Sequence, residues 1–122
     1  MTETLTTLVL IAVGLLHLLP VAGVLGARQL DRLYGVSTAS PSMQLLLRHR
    51  AALFGIVGGL LLLAAADHAL RPVAFAVGGF SLASYLLLAA LTPGYNAHLG
   101  RVVVIDQVAL GALFGVWLLG RF

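Results

Sequence analysis

Four long apolar runs constrain this chain more than anything else in it. They cover residues 5–25, 45–66, 72–91 and 101–119. Each has about the 20 residues that a helix rising 1.5 Å per residue needs to cross about 30 Å of hydrocarbon. Lipid offers the backbone no hydrogen-bond partner, so runs of this length predict spanning helices. The composition agrees: 61% of the 122 residues are hydrophobic and 9% charged, with a mean hydropathy of +1.08, far from the balance of a soluble domain. Nearly every residue belongs to a run or a short connector, which leaves no stretch for a separate soluble domain. The expected fold class is all-α, an integral membrane four-helix bundle forming one domain over 1–122, with helices near 5–25, 41–66, 72–92 and 97–120. The first run is read as a retained helix, because Glu3 stands where a signal peptide carries basic residues and the run contains His17 and Pro20.

Local signals set the expected ends. Pro20 removes a backbone hydrogen bond and predicts a kink beyond His17. Leu30 to Val36 reads as a short interfacial turn anchored by Tyr34 and arginines. Ser40 followed by Pro41 suits the start of the second helix. Asp67 to Pro72 is a tight connector with Asp67 and His68 at the water interface, and Pro93 to Asn96 has proline and glycine in type II order, with Asn96 able to cap the fourth helix.

All seven basic residues are arginine. Arg28, Arg32, Arg48, Arg50 and Arg101 carry or border the first and third connectors, against Arg71 and Arg121 on the other side. The positive-inside rule then puts both termini on the periplasmic face of a bacterial cytoplasmic membrane. Arg28, Arg32, Arg48, His49 and Arg101 are expected at headgroups or the interface. Excess positive charge without a basic, aromatic-laced domain does not predict a nucleic-acid partner. The absence of cysteine excludes thiol redox chemistry, disulfides and thiolate metal sites; no metal or cofactor is expected.

Polar groups inside the runs are where chemistry is to be sought. Asp106 is the most costly, since an acid at a helix centre disfavours insertion by about 2.5–3.5 kcal/mol and should face protein with a partner. From the cytoplasmic ends of their own helices, His17 lies about 12 Å deep, Arg50 about 13 Å, Tyr85 about 10 Å and Asp106 about 15 Å. Each helix thus supplies one polar group to a common layer, with Arg50 expected as counter-charge to Asp106 and Arg48 turned elsewhere. Ala74, Gly78, Ser81 and Tyr85 share a face of the third helix. Gly55 and Gly59, and Gly111 and Gly115, are small-xxx-small pairs expected in helix packing within the bundle or in a homo-oligomer.

With HLLP (His17 to Pro20), RHRAALFG (Arg48 to Gly55) and GYNAHLGRVVVIDQVAL (Gly94 to Leu110) in view, the sequence resembles the DoxX-like group of small four-helix bacterial membrane proteins. It looks closest to an uncharacterised subgroup often labelled phosphopantetheine adenylyltransferase. That activity belongs to a soluble α/β family with a phosphate-binding HxGH signature, and this chain has no such motif. The resemblance implies the four-helix fold; the wider group includes subunits linked to quinone-dependent sulfur oxidation. From the residues, two functions are expected to compete. A cytoplasmic-half cluster of His17, Arg50, Tyr85 and Asp106 binds an amphiphilic or lipid-like ligand or a partner helix, or His17 and Asp106 form an acid–base pair acting on a lipophilic substrate. The partners expected are the lipid bilayer and a lipophilic ligand.

Overall fold

The computed structural model describes residues 2–19 and 41–120. The Pro20 kink, the end of the first helix, the interfacial turn at 30–36, the Ser40 cap, and Arg28, Arg32 and Arg121 lie outside the described residues. Within them the chain is helical: α1 Thr2–Leu18, α2 Pro41–Ala66, a 3-10 turn His68–Leu70, α3 Arg71–Ala90 and α4 Ala97–Leu119.

The ends of these helices follow from local chemistry. Asp67 accepts from the Ala69 N–H at 3.0 Å and so caps the 3-10 turn. Pro72 sits in the first turn of α3, where a missing N–H costs nothing. Gly94 takes φ +86°, the left-handed value needed at the third position of a type II turn. Asn96 then caps α4 by accepting from the Leu99 N–H at 2.9 Å.

The helices pack in a ring, α1 beside α2, α2 beside α3, α3 beside α4, and α4 beside α1, so α1 and α3 face each other diagonally. The start of α1 meets the α2–α3 connector through Glu3, which pairs with His68 at 2.8 Å and Arg71 at 2.9 Å. This places α1 antiparallel to α2.

Closest approach occurs where α1 crosses α2. A Cβ on Gly58 would lie 2.8 Å from the Gly14 carbonyl oxygen, and one on Gly14 would lie 3.1 Å from the Gly58 oxygen. Only glycine at both positions lets the two backbones come this near. The packing role expected of other glycines falls here instead. A Cβ on Gly59, Gly111 or Gly115 would meet nothing within 4 Å, so these three make no close helix contact among the described residues. Gly55 is half-buried.

The core is thin and apolar, built on Leu10, Val13, Leu61, Ala64, Ala74, Leu82, Ala109 and Leu113. Outward positions are equally apolar: Phe80 is 75% and Ile56 68% exposed, with leucines on every helix beside them. A water-facing surface would be polar, whereas hydrocarbon accepts such a ring. Three segments, Pro41–Ala66, His68–Ala90 and Ala97–Leu119, are long and apolar enough to cross a membrane, and α1 is a shorter apolar helix of 17 residues.

Candidate functional site

His17, Ser81, Arg50 and Asp106 converge from α1, α3, α2 and α4 respectively onto one cavity of about 160 Å³, whose remaining wall is Leu16, Leu19, Phe54, Leu82, Val102 and Ile105. Helical periodicity brings them there. Ser81 lies on the Ala74–Gly78 stripe that turns inward, and Asp106 lies near the face of α4 that buries Ala109 and Leu113.

His17 is the most enclosed polar side chain among the described residues, 5% exposed. Its Nδ1 lies 2.9 Å from the Val13 carbonyl one turn earlier. A carbonyl only accepts, so Nδ1 carries the proton, and in the neutral ring Nε2 is left with a lone pair. That lone pair accepts from the Ser81 hydroxyl, 3.0 Å away on the diagonal helix. The Phe54 ring meets the imidazole edge-on, with centroids 5.7 Å apart at 83°. Both nitrogens are therefore engaged, and neither engages Asp106. His17 and Asp106 share the cavity wall without bonding to each other.

Arg50 also meets the Phe54 ring. Its guanidinium carbon lies 4.4 Å from the Phe54 centroid and 5.7 Å from that of Tyr85, distances at which the ring faces attract a cation. Tyr85 thus touches the cluster through Arg50 and is not part of the cavity wall. Arg50 is near enough to Asp106 for a charge–charge interaction, but no ion pair within 4.0 Å joins them. In place of the expected contact ion pair, the two charges stand apart in the wall of one cavity, with the guanidinium over the Phe54 ring. Asp106 itself is half-buried and makes no hydrogen bond or ion pair among the described residues, and its oxygens are not fully enclosed atoms left without a partner. Arg48, His49 and Arg101 are exposed and lie away from this cavity.

A second polar cluster, at the opposite end, escaped the sequence reading. Arg71 donates from Nε to the Ala64 carbonyl at 3.0 Å, from Nη2 to the Ala65 carbonyl at 3.2 Å and to Thr7 Oγ1 at 3.2 Å, and from Nη1 to Glu3 at 2.9 Å. One side chain satisfies terminal carbonyls of α2 and ties them to α1. The Arg71 guanidinium beside Glu3 holds that carboxyl below its ordinary range, with His68 adding to the effect. Ser81 and Phe54 were also legible only in part, as members of inward faces. Among the described residues no group of three or more histidine, aspartate or glutamate side chains is placed to hold a metal ion.

No protein-family model, curated protein or solved structure matches this chain.

Proposed function

We propose that this is a multi-pass protein of a bacterial cytoplasmic membrane, DoxX-like in kind, with both termini on the periplasmic side, and that its inner cavity binds the polar or ring-shaped end of an amphiphile. The observation that carries the reading is Asp106, a half-buried carboxylate making no hydrogen bond or ion pair among the described residues, in a cavity whose other polar groups are His17, Ser81 and the Arg50 guanidinium and whose remaining wall is apolar. A carboxylate in such a place needs a donor, and a ligand hydroxyl, amide or amine supplies one. The volume of about 160 Å³ is close to the roughly 150 Å³ that accommodates a benzene-sized group. The cavity therefore takes a headgroup fragment or a single ring. Leu19, 65% exposed, and Ile105, 45% exposed, form part of the wall, so the tail leaves beside α1 and α4 into the bilayer, the chain's principal partner.

Native mass spectrometry of the full chain purified in mild detergent tests this. The wild type should retain a small amphiphile that Val102→Trp, which fills the cavity, expels without loss of helical signal; equal retention by the two would refute the site. A periplasm-active reporter fused to the C-terminus should give signal, and a cytoplasmic reporter active there would reverse the orientation.

A further inference from the structure

The hydroxyl of Ser81 is not used as serine hydroxyls inside helices commonly are. They usually donate to a carbonyl one turn back, as Ser84 does to the Ser81 carbonyl at 3.0 Å. The Ser81 hydroxyl instead donates across the bundle to His17 Nε2 at 3.0 Å. The proton on Nδ1 is held by the Val13 carbonyl at 2.9 Å, which fixes both tautomer and ring orientation, and Phe54 closes against the ring edge. A hydroxyl bonded to an imidazole lone pair, with the imidazole oriented by a third group, is the arrangement that activates a nucleophile. A backbone carbonyl here takes the orienting place that a carboxylate holds in a Ser-His-Asp triad. Both Ser81 and His17 open onto the cavity, and Arg50 supplies positive charge in the same wall.

The geometry points to Ser81 as a nucleophile, with His17 as its general base, in acyl transfer from a lipophilic ester held in this cavity. The inference rests on the reading of the cavity as an amphiphile site and names the class of amphiphile. Ser81 Oγ adds to the ester carbonyl carbon as its proton passes to His17 Nε2. The carbonyl oxygen becomes anionic in a cavity that contains a guanidinium. The carbon–oxygen bond to the alcohol then breaks, and the alcohol leaves with the proton from His17. Water repeats the sequence, giving up its proton to His17 and releasing the acid, so no oxidant or reductant enters. Apolar side chains such as Leu16, Phe54 and Leu82 fit the first carbons of an acyl chain.

The test is covalent labelling of the full chain, in detergent and in vesicles, with a long-chain alkyl fluorophosphonate. Attack by Ser81 forms a phosphorus–oxygen bond and releases fluoride, and tandem mass spectrometry locates the adduct. Labelling is expected at Ser81, absent in Ser81→Ala, at least tenfold slower in His17→Gln, and absent from Ser84 one turn away. If His17→Gln does not fold, alkylation by a long-chain iodoacetamide compares Ser81→Cys with Ser84→Cys. The first should react at least tenfold faster, and equal rates would overturn the assignment. Folded wild type that retains an amphiphile yet forms no Ser81 adduct overturns the nucleophile and leaves the binding site standing. Neither retained amphiphile nor adduct overturns both.

Discussion

Replacing Gly58 by alanine tests the crossing that fixes α1 against α2. The new Cβ would lie 2.8 Å from the Gly14 oxygen and 3.0 Å from Leu18 Cδ2. A leucine methyl can move aside, but a helical carbonyl moves only with its helix, so α1 must withdraw. Overpacking of this kind costs about 1–3 kcal/mol, partly offset by the gain of about 0.5–1 kcal/mol from replacing a helical glycine. The net expectation is a loss of up to about 2.5 kcal/mol, from those same two ranges. Gly59→Ala is the internal control, since its Cβ meets nothing within 4 Å. It receives the same propensity gain without the clash, and the difference between the two variants isolates the crossing at about 1–3 kcal/mol. Gly14→Ala combined with Gly58→Ala should cost less than the sum, because the first withdrawal makes room for the second Cβ. Reversible unfolding in mixed detergent micelles measures all four chains. Equal stability of Gly58→Ala and Gly59→Ala, or strict additivity of the double variant, would refute close backbone contact at this crossing.

Two further outcomes follow from the polar clusters. Glu3 has its pKa lowered by Arg71, so its pairing contributes fully above the ordinary carboxyl range and is lost as pH falls through the lowered value; the acid limb of thermal stability should be shallower in Glu3→Gln, and superimposable curves would contradict the pairing. In double-variant cycles Arg50→Leu should couple to Phe54→Leu by about 0.5–2 kcal/mol and less strongly to Asp106→Asn; a larger coupling to Asp106 would restore the direct ion pair that the geometry lacks.

The sequence by itself determined the helices, because an apolar run of about 20 residues satisfies its backbone hydrogen bonds internally as a helix, and the length of the run sets the length of the helix. Their local stops were equally legible: Pro41 at a helix start, Gly94 in its turn, and Asn96 as a cap depend on residues a few positions apart. The inward face of α3 also followed, from 100° periodicity, and depth along each helix nominated His17, Arg50 and Asp106, which line one cavity. Distances between helices were not written in that pattern. Gly58 and Gly59 are adjacent and chemically identical, yet one touches the Gly14 carbonyl and the other faces open space, a difference set only by the azimuth at which α1 crosses α2. For the same reason depth along each helix put Arg50 and Asp106 in one layer but could not show that the guanidinium lies over the Phe54 ring without contacting the carboxylate, or that Ser81 is the partner of His17. Helix formation is local and readable one segment at a time, whereas side-chain partnership depends on rotations and offsets between segments that exist only once the bundle has packed.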